Sequence, residues 1–168
     1  MTMFTLKKLS WEGIARALQK VERYRLLNEP WEAESICRDV LESEPNHRDA
    51  LISLLLALTD QFKHEGAPGV ESVRALLARI EGEYERAYYS GIICERKGSA
   101  LRARNALGSG PIVYDWLRQA MECYDRAAAL RPAGNDDALL RWNTCARLIM
   151  SDPKVQPPAP ASAIAMLE

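Results

Sequence analysis

AMECYDRAAALRP, Ala120 to Pro132, decides how the chain is read. Ala120, Tyr124 and Ala127 follow one another at steps of four and three, so a helix places them on one face. Pro132 closes the stretch, because proline cannot donate to the preceding turn. The same sentence stands earlier in AESICRDVLESEP, where Ala33, Cys37, Val40 and Pro45 repeat the spacing. A helix that recurs with one small-residue seam and one closing proline points to repeated helical hairpins.

Outward from these two stretches the chain reads as all-α. WEGIARALQKVERYRLL follows Ser10, a suitable cap, and carries Ile14, Ala17, Leu18, Val21, Tyr24 and Leu27 on one stripe. Asn28-Glu29-Pro30 breaks it, and a second helix runs from about Trp31 to Glu44. Asn46 or Asp49 can cap a third helix reaching about Phe62. Its ALISLLLAL core is apolar on nearly every side, so it should be central. After the loop HEGAPGV, Val70 to Ile80 reads as its partner, with Val73, Leu77 and Ile80 as the seam. A long helix opens at Glu83 and overruns to Gly108-Ser109-Gly110-Pro111; another runs from about Pro111 to Leu130. Asn135-Asp136-Asp137 caps a last helix, Ala138 to about Met150.

The seams resemble those of tetratricopeptide repeats, whose second helix carries alanine, an aromatic, a small residue and then proline at this spacing. Ala33, Cys37, Val40, Pro45 and Ala120, Tyr124, Ala127, Pro132 match that helix. Ala87, Gly91 and Cys94 match the first-helix seam, glycine included; Ala138, Trp142 and Cys145 continue it. The match departs at Ala17, Lys20 and Val21, where the family has tryptophan, leucine and glycine, and at Leu51, Leu54, Leu55 and Leu58. Pro45 and Pro132 are 87 residues apart, against about 68 for two repeats of about 34. About 19 residues are therefore extra, roughly 17 of them between Gly91 and Ala120.

The resemblance implies a right-handed α-α superhelix of about three hairpins plus a terminal helix over residues 1–150, followed by a Pro/Ala-rich tail over 151–168. It implies a non-enzymatic interaction module, an adaptor or scaffold, whose first helices line a concave groove for a peptide or helix. The corresponding positions are Asp49, Ile52, Leu56 and Asp60; Glu85, Tyr88, Ile92 and Glu95; and Asp136, Leu139, Asn143 and Arg147. The competing reading makes Ile52, Leu56 and Ile92 ordinary core. The tail ends in Ile164, Met166 and Leu167, apolar anchors on an extended segment of the kind such a groove accepts; a disordered tail is the alternative.

A formal net charge of −1 does not draw the whole molecule towards nucleic acid or membrane. The longest apolar run, Ala50 to Leu58, is too short to cross a bilayer. MTMFTLKKLSW has no apolar core of a secretory signal, so the expected location is the cytoplasm. Cys37, Cys94 and Cys145 occupy seam positions and read as structural thiols; Cys123, beside the seam, reads as partly exposed. His47 and His64 lack nearby cysteine ligands, so neither metal nor cofactor is expected. GSGP lacks the lysine and hydroxyl of a phosphate loop, and no nucleophile, base and acid group together. The expected partner is another protein or peptide, with a homo-oligomer left open. Nucleic acid is disfavoured; it is the alternative through the basic set Arg96, Lys97, Arg102 and Arg104.

Overall fold

The computed structural model describes residues 3–160, and every regular element among them is helical. The chain divides into two units, Met1–Glu81 and Gly82–Glu168. The first holds α1 (Ile14–Leu26), α2 (Pro30–Ser43), α3 (Arg48–Asp60) and α4 (Val70–Arg74). The second holds α5 (Glu83–Arg104), α6 (Gly110–Leu130) and α7 (Asp137–Ser151).

In the first unit the seam residues Ala33, Cys37 and Val40 of α2 are fully buried, as is Val21 of α1. Proline at the start of α2 costs no hydrogen bond, since the first-turn N–H groups lack helical acceptors anyway. α3 buries Ala50, Leu51, Leu54, Leu55, Ala57 and Leu58, residues spread around its cylinder. It touches α1, α2 and α4, as its near-continuous apolar run requires.

Several ends differ from expectation. Ser10 makes no side-chain cap; a single 3-10 turn, Trp11–Gly13, leads into α1 instead. α3 is capped by His47, whose Nδ1 accepts from the Ala50 N–H at 3.4 Å. α1 stops at Leu26, and Asn28 turns left-handed at φ 60°. The helical period therefore no longer carries Leu27 to the buried face, and it lies exposed. The expected Val70–Ile80 helix tightens after Arg74 into a 3-10 segment, Ala75–Arg79, yet Val73 and Ile80 are both buried.

The second unit is organised by one long antiparallel hairpin. α5 has 22 residues and α6 has 21, so the extra length between Gly91 and Ala120 extends both arms. Their turn needs two left-handed residues, Asn105 at φ 47° and Gly108 at φ 74°. Along the crossing, a methyl group on Gly91 would lie 2.5 Å from Tyr124 Cε1, and one on Gly98 3.2 Å from Trp116 Cβ. Glycine is needed at residue 91 because the tyrosine ring occupies the space of a side chain.

The stretch after α7, expected to be extended and unpacked, is tied down at its start. Asp152 pairs with Arg102 at 2.7 Å, and the Lys154 ammonium donates to Asn105 Oδ1 at 3.1 Å. Val155 is buried, and the Lys154 carbonyl rests on the bare backbone of Gly110. Ile164, Met166 and Leu167 lie outside the described residues.

Candidate functional site

The expected groove positions fall into three sets. On α3, Asp49 is exposed while Ile52 and Leu56 are half-buried. Asp60 is half-buried and accepts from Arg25 of α1 at 2.7 Å, which ties the ends of the two first helices together. Beside it, Gln61 donates to Glu34 of α2 at 2.6 Å.

On α5 the positions turn inward. Ile92 is buried and Glu95 is 8 % exposed. The Tyr124 hydroxyl of α6 donates to Glu95 Oε2 at 2.5 Å, and Arg141 of α7 donates to Oε1 at 3.1 Å. One carboxylate thus joins three helices, each of its oxygens engaged. A buried carboxylate needs such partners, since an unpaired charge out of water is costly. Glu85 and Tyr88 are half-buried; Tyr88 stacks on Tyr84 with ring centres 5.9 Å apart and tilts against Tyr124 at 5.9 Å. Burial, then the Glu95 charge, pushes the Tyr124 hydroxyl far above its ordinary value. Burial opposes the charge on Arg141, but Glu95 together with Tyr88 and Tyr124 outweighs it, and the guanidinium pKa lies above its ordinary value.

The α7 set faces out. Leu139 is 38 % exposed, Asp136, Asn143 and Arg147 are exposed, and they share the surface with Leu140 at 63 % and Met150 at 77 %. Leu140 and Met150 were missed from sequence. The usable signal was that α7 has more large apolar residues than one seam can hold. Only Ala138 and Cys145 of this helix are fully buried.

The four cysteines are all reduced and buried, and Cys123, expected to be partly exposed, is among them at 6 % exposure. Burial pushes the Cys37 and Cys145 thiols up to about 12. Cys123 behaves oppositely. Arg126 Nη2 donates to its sulfur at 3.1 Å. Hydrogen bonding with Cys94 foremost, helped by Ser90 and Arg126, outweighs desolvation and lowers the thiol to about 6.

A cavity of about 760 Å³ lies at the α5–α6 turn, lined by Arg102, Asn105, Ser109, Gly110, Asp152 and Lys154 among others. Its cations are engaged: Arg102 by Asp152 and Lys154 by Asn105. Arg96, Lys97 and Arg104 also interact within the chain. Among the described residues no three His, Cys, Asp or Glu side chains stand ready to share a metal ion, and no helix is long and apolar enough to cross a membrane. No protein-family model, curated protein or solved structure matches the chain.

Proposed function

We propose that this chain is a non-catalytic interaction module built from divergent tetratricopeptide-like hairpins, of the kind that stack as a right-handed superhelix. Its partner is a peptide or helix of another protein, held through first-helix faces. The observation that carries this reading is α7. Leu139, Leu140 and Met150 are large apolar side chains left in water on a helix whose other side packs on α6. Asn143 and Arg147 on the same helix supply polar and cationic contacts for an acidic or amidated edge of the partner. On α3, half-buried Ile52 and Leu56 offer a second, shallower apolar strip beside exposed Asp49. Glu95 belongs to the support rather than the contact surface, because Arg141 and Tyr124 use both its oxygens.

The test is affinity capture with the full chain and with Leu139→Glu/Leu140→Glu. Both positions are exposed, so the helical circular-dichroism spectrum should be unchanged. Loss of the captured protein, with binding that tolerates salt, supports the reading. Unchanged capture by the double variant overturns the α7 assignment. Binding of nucleic acid that falls steeply with salt would favour the basic set instead.

A further inference from the structure

The outward side of α7 carries a regularity of its own. Leu140, Asn143, Arg147 and Met150 follow one another at steps of three, four and three. At about 100° per residue they share a stripe roughly 80° wide. The stripe lies opposite Ala138 and Cys145, the two fully buried residues of the helix. All four of its residues are exposed, Leu140 at 63 % and Met150 at 77 %, and Leu139 borders them. The order is apolar, polar, polar, apolar, and the spacing reads the same from either end. Turned end for end, α7 lays Leu140 on Met150 and Asn143 on Arg147.

We propose that this stripe is a self-association site, on which a second copy of the chain docks its own α7, antiparallel, about a two-fold axis. Such a contact requires a surface complementary to its own reverse, so that one residue meets another and is met by it in return. The stripe has that property. An unrelated helix would need only a surface complementary to α7, with no such symmetry in α7 itself. The axis passes the level of Cys145, midway between Asn143 and Arg147. At each end Leu140 of one copy covers Met150 of the other. In the middle each Arg147 guanidinium donates to the Asn143 side-chain oxygen of the other copy. The apolar ends supply the attraction and the polar middle fixes the register. A slip of about one turn would set each Arg147 against a Leu140. α7 has 15 residues, and a helix of that length is about 22 Å long. One such pair falls short of the about 1,200–2,000 Å² of a standard stable interface. The dimer is therefore weak and concentration-dependent. This occupant rests on the reading of α7 as the contact face and adds its regulation: two copies cover the face in each other until an outside partner takes their place.

Sedimentation equilibrium of the full, reduced chain, from low micromolar to submillimolar concentration, tests the pairing. The mass should rise from monomer towards dimer and stop there, because a two-fold contact closes. Leu140→Glu/Met150→Glu should weaken the dimer at least about tenfold, with the helical spectrum unchanged because both residues are exposed. Should that variant lose its helical spectrum, Leu140→Gln/Met150→Gln, which adds no charge, takes its place. Exchange of charge reads the register. Asn143→Lys sets a cation against Arg147 of the other copy and should weaken association. Mixed with Arg147→Glu, it brings the new lysine of one chain onto the new glutamate of the other. The mixture should dimerise at least about tenfold more tightly than either variant alone. A native chain that stays monomeric overturns the proposal, as does a dimer untouched by loss of Leu140 and Met150, or a mixture no tighter than its components. A monomer whose capture of a partner is lost in Leu139→Glu/Leu140→Glu rejects the second copy and leaves the proposed function standing. A dimer built on α7, beside capture that this double variant does not change, does the reverse.

Discussion

The α1–α2 and α5–α6 hairpins solve one packing problem with opposite distributions of volume. At the seam position of the first helix, α1 carries Val21 and α5 carries Gly91. At the matching position of the second helix, α2 carries Cys37 and α6 carries Tyr124. All four are buried. The first hairpin has a medium and a small side chain at these positions; in the second a missing one meets a large ring. Close-packed interiors constrain the sum at a crossing more tightly than either partner. The second distribution has a chemical consequence, because Tyr124 brings a hydroxyl into the interior and that hydroxyl needs Glu95. Arg141 then follows as the partner of the carboxylate.

The strongest challenge to this contrast between hairpins is Tyr124→Ala. It empties the ring's volume and removes one donor from a buried carboxylate, and should cost about 3–5 kcal/mol in a denaturant titration. The corresponding Cys37→Ala in α2 removes one atom and should cost a small fraction of that. Equal losses would show that the two seam positions do not differ as described.

Gly91→Leu comes next, with an expected loss of about 1–3 kcal/mol from overpacking. Gly91→Ala is the diagnostic control. In an open helix interior it would gain about 1 kcal/mol, but here the new methyl meets the Tyr124 ring at 2.5 to 2.9 Å. The gain should be absent, and a full gain would mean that the helices do not approach closely at this glycine.

Cys37 of α2 and Cys123 of α6 separate the two hairpins by pH. Cys37 stays neutral in the folded state up to about 12, against an ordinary value of 9.0. Between those values the unfolded chain holds fewer protons, so stability falls as pH rises from 9 towards 12. Cys145 contributes in the same direction. Cys123 has the opposite sign. Its folded value is lowered from 9.0 to about 6, so its contribution is full above 9 and is lost as pH falls through about 6. Denaturant midpoints across this range should lose part of their alkaline slope in Cys37→Ala and part of their acid slope in Cys123→Ser. A variant that keeps its slope assigns that slope to another group.

The smallest effect belongs to the end of the first hairpin's opening helix. Leu26 is 88 % exposed, so Leu26→Gln should change stability by no more than about 0.5 kcal/mol. A large loss would show that α1 continues its stripe beyond the observed stop.

Much of the helical layout is legible in the sequence. The seams at Ala33, Cys37, Val40 and at Ala120, Tyr124, Ala127 are buried as their spacing demands, because a 3.6-residue period maps sequence distance directly onto direction. The length of α5 is likewise readable, although the helix stops at Arg104, where Asn105 turns left-handed, and not at the expected Gly108. The expected sites are less legible. Glu95 and Arg147 both read as groove positions on first helices, yet Glu95 is closed between α6 and α7 while Arg147 stays in water. The pattern gives the face on which a side chain sits and does not say what lies opposite.

Periodicity, proline and glycine act within a few residues of one another, and through them the sequence dictates helix, seam and turn. Two pairings come only from tertiary packing: Glu95 with Arg141, 46 residues away, and Asp152 with Arg102, 50 away. Side-chain chemistry of this kind depends on which atoms meet after the helices have packed. Distances of a few ångströms set hydrogen bonds, ion pairs and thiol acidity, and no local rule of spacing fixes distances between separate helices.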